Sequence, residues 1–144
     1  MIQKKQSMSR LLREGLSSRE DLNCAEAVLT ACDRGYDLQL PKEALKLAAG
    51  FGGGMGIEST CGALTGGIMA LSALFVRDRG HESDYVKTVS REFFDRFRKQ
   101  TGSIDCDYLK KTMRSETNGC IPVMLAASII LEDIIDREIG NNGK

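Results

Sequence analysis

An all-α fold is what this sequence predicts: a compact bundle of about five to seven helices around a buried central one. Three observations carry that expectation. Apolar residues recur at three- and four-residue intervals in most segments, with charge between them. Strand-like alternation persists nowhere. One stretch, residues 61 to 76 (CGALTGGIMALSALFV), holds no charged residue although 28% of the chain is charged, which marks a helix covered on several sides.

The elements follow in order. Residues 3 to 16 bring Met8, Leu11, Leu12 and Leu16 near helical spacing. A second helix starts from Asp21 or Asn23 as N-cap and places Cys24, Ala27, Val28, Ala31 and Cys32 on one stripe, with Gly35 as its stop. Pro41 suits the first position of a third helix, whose apolar face is Leu45, Ala48 and Ala49. That helix runs into a glycine loop, FGGGMG, and Ser59 or Thr60 is the expected cap of the central helix. Along the central helix Gly62, Gly66, Ala70 and Ala73 form a small-residue face that lets another helix come close. A charged amphipathic helix then carries Tyr85, Val89, Phe93, Phe94 and Phe97 as a core stripe and stops at Gly102. A short helix opens at Cys106 behind Ser103 or Asp105, and a last apolar helix runs from Cys120 to Gly140. Residues 61 to 76 are expected to be the most buried segment.

At 144 residues the chain reads as one helical domain, 1–144. Formal net charge is zero and no basic block exists, so nothing electrostatic points to a nucleic acid or an anionic membrane as partner. The uncharged stretch is shorter than the roughly 20 residues a membrane span needs. The basic N-terminus lacks the apolar centre of a signal peptide, so a cytoplasmic location is the expectation. Five cysteines in a reducing compartment direct attention to metal binding or redox chemistry rather than structural disulfides. The single histidine, His81, rules out a histidine-rich metal site and reads as a solvated helix start.

Four of the five cysteines share one feature. Cys24, Cys61, Cys106 and Cys120 each fall at the expected N-terminal turn of a different helix, where free backbone N–H groups and the macrodipole favour negative charge. If these helix starts meet, the thiols form a site for a thiolate-bound metal or a dithiol–disulfide couple. Ordinary buried thiols are the competing reading, since cysteine packs as a small hydrophobe. Cys32 belongs to that class, because it lies eight residues and roughly 12 Å beyond Cys24 on the same helix. Gly52, Gly53, Gly54 and Gly56, with Gly62, are candidate backbone donors around a cofactor; a tight reversal against a neighbouring helix is the favoured explanation of the loop glycines. Cys61 is expected to be the most acidic thiol or the strongest ligand, because it follows the loop at a capped helix start.

The spacings lack C-x-x-C, so thioredoxin, zinc-ribbon, ferredoxin and covalent-haem signatures are absent. No strand precedes the glycine loop and no Gly-Lys-Ser/Thr follows it, which removes the Rossmann and P-loop readings. Cys24 in NCAEAVL, the FGGGMG loop, Cys61 in CGALTG, Cys106 in GSIDCDYL and Cys120 in GC together resemble the redox-active proteins named for a C…GCAxxG…C…C pattern. The resemblance spans about residues 20 to 135, with Thr60 rather than glycine before Cys61. It implies a helical domain with four functional cysteines and a redox role.

Three functions stay open. The first is an electron carrier in which the four cysteines ligate an iron–sulfur cluster or another metal. The second is a thiol–disulfide oxidoreductase or redox sensor working through one cysteine pair, and the third a helical interaction module with structural thiols. The redox partner is unspecified, and a homo-oligomer is compatible with the sequence.

Overall fold

The computed structural model describes residues 2–142. Eight α-helices follow one another: α1 (Met8–Arg13), α2 (Leu16–Arg19), α3 (Cys24–Gly35), α4 (Lys42–Leu45), α5 (Gly62–Phe75), α6 (Tyr85–Thr101), α7 (Cys106–Thr112) and α8 (Ile121–Asn142). Among the described residues there is no strand, and the fold is all-α. The count exceeds the expected five to seven because Gly15 turns left-handed, with φ 94°, and divides the first helix into α1 and α2. Pro41 stands one place earlier than expected, as the N-cap of α4, which continues as a 3₁₀ turn over Lys46–Phe51.

Helices α3 and α5 form the centre, and their close approach depends on missing side chains. A Cβ added at Gly66 would stand 2.8 Å from the Ala25 Cα and closer still to the Ala25 carbonyl oxygen. Gly67, on the next face, accepts the ring of Phe93 from α6. The small-residue face thus seats α3 over the first turns of α5, and it ends before Ala73, which is exposed. Residues 61 to 76 are therefore not the most buried segment. Helix α3 buries eight of its twelve residues and α5 seven of its fourteen, because the C-terminal end of α5 emerges at the surface.

Around this pair, α6 contributes Val89, Phe93 and Phe97, and α8 contributes Leu131, Ile134 and Ile135. Helix α1 lays Met8 and Leu12 against α3 and α8. Its N-terminal approach is tied to α8 by polar contacts: the Ser9 amide donates to Glu132 at 2.7 Å, and Lys4 pairs with Glu132 at 2.6 Å. The hydroxyl of Tyr36, the C-cap of α3, donates to Asp136 of α8 at 2.7 Å. These links clamp the end of the bundle opposite the N-terminus of α3. No helix among the described residues is long and apolar enough to cross a membrane.

Candidate thiol redox site

Each of the four cysteines sits at a helix start for a local reason. Asn23 caps α3 through a reciprocal box: the Glu26 amide donates to Asn23 at 3.0 Å, and the Glu26 carboxylate accepts from the Asn23 amide at 3.0 Å. Cys24 is consequently the first residue of α3, and Asp21 is not its cap but a left-handed residue at φ 55°. Cys61 is itself the N-cap of α5, in place of the expected Ser59 or Thr60. Cys106 opens α7 behind Asp105. The Cys120 carbonyl accepts from the Met124 amide at 3.0 Å, so this residue stands at the entrance to α8, after the left-handed Gly119.

A backbone clasp joins two of these starts. The Cys61 amide donates to the Ile104 carbonyl at 2.8 Å, and the Cys106 amide donates to the Ser59 carbonyl at 2.6 Å. Segments 59–61 and 104–106 thereby lie antiparallel for one bridge, Thr60 against Asp105. The result places the N-termini of α5 and α7 side by side.

All four thiols line one cavity of about 200 Å³, with Gly53, Gly62, Leu109, Lys110, Arg114 and Val123 completing its wall. Cys32 is fully buried and lies outside it. The cavity wall contains no histidine, aspartate or glutamate. Among the described residues, no three Cys, His, Asp or Glu side chains stand in an arrangement that would hold a metal ion. The donor set, four soft thiols without a competing carboxylate, is of the kind that holds a thiolate-bound metal or metal–sulfur group.

The glycine loop takes an uncommon path. Gly53, Gly54, Met55 and Gly56 have consecutive positive φ values of 64°, 63°, 65° and 75°. L-residues adopt this conformation at a cost of roughly 1–2 kcal/mol each, which accounts for three glycines in four positions. Gly54 is pressed against Cys106, since an added Cβ would lie 2.7 Å from the Cys106 Cβ. At Gly62 an added Cβ would lie 3.4 Å from the Cys24 Cβ and 3.0 Å from the Phe51 carbonyl. Gly53 and Gly62 line the cavity. Gly52 packs over the Asn23 side chain, and Gly56 faces open space, so neither reaches the thiols.

Electrostatics separate the four sulfurs. Interaction with Cys24, helped by the Arg114 and Lys110 charges, pulls the Cys120 thiol down to about 6. The same interaction, then burial, pushes Cys24 well above the ordinary thiol range. The two titrate as a pair: one proton leaves early and the other is held late. Burial pushes Cys61 up to about 11, and the Ala63 and Leu64 amides offset only part of this. Burial also raises Cys106, against the pull of Lys110. Of the expectation that Cys61 is the most acidic thiol or the strongest ligand, the acidity half does not hold. At 4% exposure desolvation outweighs the helix dipole, and the acidic thiol is Cys120.

Lys110 and Arg114 were not among the residues expected at the site. Lys110 carried a usable signal, because it follows Cys106 by four residues on one helix and so shares its face. Arg114 lies beyond the end of α7, where helical spacing no longer predicts direction.

Residues 22–134 match the family described as "Putative redox-active protein (C_GCAxxG_C_C)". The chain belongs to this family. No curated protein and no solved structure matches it significantly. Membership places this C_GCAxxG_C_C chain among redox-active proteins. Relative to the printed pattern, Cys61-Gly62-Ala63-Leu64-Thr65-Gly66 exchanges the first glycine and the cysteine and keeps the alanine and last glycine in place.

Proposed function

We propose that the protein is an electron carrier whose redox centre is an iron–sulfur cluster held by Cys24, Cys61, Cys106 and Cys120. The observation that carries this reading is the single cavity lined by all four thiols and by no other ligand-type side chain. A cluster bound there would supply one-electron chemistry at a potential set by its surroundings. The chain's own groups define those surroundings. Lys110 and Arg114 balance thiolate charge at the rim, Leu109 and Val123 exclude water, and the Gly53 and Gly62 backbone permits close approach. The Ala63 and Leu64 amides act on the Cys61 sulfur.

A second reading rests on a separate observation: Cys24 and Cys120 both line the thiol cavity and also the polar cavity beside it. In the metal-free chain this pair is placed for a dithiol–disulfide couple, with two electrons exchanged per disulfide.

Anaerobic purification, with iron and acid-labile sulfide analysis and electron paramagnetic resonance after reduction, decides between the two. The cluster reading expects iron and sulfide in equal amounts and a paramagnetic reduced state. A protein that takes up no iron or sulfide under reconstitution, yet titrates as a two-electron thiol couple, overturns it in favour of the second.

A further inference from the structure

We propose that residues 53–58 form a gate over Cys106, held shut by the ion pair between Glu58 and Lys110. The inference goes beyond both redox readings and depends on neither, because it concerns access to the thiol cavity itself. Gly54 is pressed against Cys106, and Gly53 lines both the thiol cavity and the polar cavity of about 390 Å³ beside it. Movement of this segment therefore uncovers Cys106 and removes a shared part of the wall between the two cavities.

The segment is fastened at both ends and only loosely between them. Before it, Gly52 packs on the Asn23 side chain, whose Nδ2 donates to the Ala49 carbonyl at 2.9 Å. After it, the Ser59 carbonyl accepts from the Cys106 amide at 2.6 Å. Of the six residues between, only Gly54 is buried, and Ile57 is 76% exposed. A Cβ added at Gly53 or Gly56 would meet nothing within 4 Å, so there is room beside them. A segment with so few buried apolar contacts lies at the low end of local stability.

Backbone strain and charge act on it in opposite directions. Five of the six residues have positive φ, including Met55 at 65° and Glu58 at 56°, where an L side chain is disfavoured. Unwinding the turn relieves both residues. It also frees the Ser59 amide, which donates to the Gly54 carbonyl at 3.0 Å, and lifts Gly54 from Cys106. Against this stands the Glu58 carboxylate, 3.6 Å from the Lys110 ammonium. Among the described residues this is the one side-chain polar link that the segment makes. Lys110 follows Cys106 by one turn on α7 and lines the thiol cavity, so the pair draws the end of the segment onto the helix that carries the covered thiol. An exposed ion pair is weak, and screening weakens it further. That suits a gate, because a competing charge releases it.

The test uses the reduced, metal-free full chain, as wild type and as Glu58→Gln, a change at an exposed position. Amide hydrogen exchange by nuclear magnetic resonance follows Ser59, whose bond closes the turn, beside Cys61 and Cys106, whose amides form the clasp. Alkylation by N-phenylmaleimide, a bulky neutral reagent, is read at Cys106 by peptide mass spectrometry and compared at matched thiolate fraction from each protein's pH profile. In Glu58→Gln, Ser59 exchange corrected for its intrinsic rate and Cys106 alkylation are both expected to rise about threefold, with the clasp amides unchanged. Salt at about 0.5 M should produce the same rise in wild type and none in the variant. Unchanged Ser59 exchange overturns the latch, and faster Ser59 exchange without faster Cys106 alkylation overturns the gate. A rise shared by the Cys61 and Cys106 amides is general loosening of the site and overturns the proposal as well.

Discussion

Gly66→Ala is the perturbation that most directly connects the packing to the site. The added methyl would meet the backbone of Ala25, at 2.8 Å from its Cα, and backbone cannot rotate aside as a side chain can. Overpacking of this kind costs about 1–3 kcal/mol, and a backbone collision belongs at the upper end. Replacing a mid-helix glycine by alanine returns about 1 kcal/mol through helix propensity. The net expectation is a loss of roughly 2 kcal/mol, or about 6 °C in Tm for a chain of this length. Gly140→Ala is the matched control, since nothing lies within 4 Å of its added Cβ and only the propensity gain remains. Displacing α3 also moves Cys24, its first residue, away from Cys120. Thermal unfolding by circular dichroism gives the stability, and alkylation of the metal-free chain at pH 7 reports the thiol pair. A Gly66→Ala protein that is as stable as Gly140→Ala, with unaltered Cys120 alkylation, would refute the close α3–α5 seat described above.

Two further outcomes concern the glycine loop and the thiol pair. Gly53→Ala meets no atom within 4 Å but keeps φ 64°, so it should lose about 1–2 kcal/mol by conformation alone, whereas Met55→Gly should be neutral or gain up to about 1 kcal/mol; equal Tm values for the two variants would contradict the left-handed turn. Because the Cys120 thiol is drawn down to about 6, iodoacetamide labelling of Cys120 in the metal-free chain, read by peptide mass spectrometry, should be flat above neutral pH and fall as pH drops through 6; a Cys120 rate that keeps rising to pH 9, as for an ordinary thiol, would contradict the interaction with Cys24.

Much of this organisation was legible in the residues. Helical spacing placed α3, α5, α6 and α8, and the small-residue face of Gly62 and Gly66 announced a close helix contact. The clustering of Cys24, Cys61, Cys106 and Cys120 at helix starts was also readable, because caps and stops are local signals. What brings Cys61 beside Cys106 was not. That clasp is a pair of backbone hydrogen bonds between loops more than forty residues apart, and backbone groups carry no sequence identity. The ranking of thiol acidity failed for a related reason. The dipole at a helix start is a local property of sequence, but the burial of Cys61 and the meeting of Cys24 with Cys120 in one cavity wall are decided by how four helices assemble. The count of helices failed at Gly15, where a left-handed residue interrupts a pattern whose apolar spacing runs through it.

The central claim, that four thiols act as one centre while Cys32 only packs, is tested most directly by iron and sulfide content per chain. The series comprises wild type, the serine variants of Cys24, Cys61, Cys106 and Cys120, and Cys32→Ser, all reconstituted anaerobically. The account predicts full loading in Cys32→Ser, and loading that is lost or strongly reduced in each of the other four while their circular dichroism stays helical. Full loading in Cys61→Ser, or loss confined to Cys32→Ser, would contradict it.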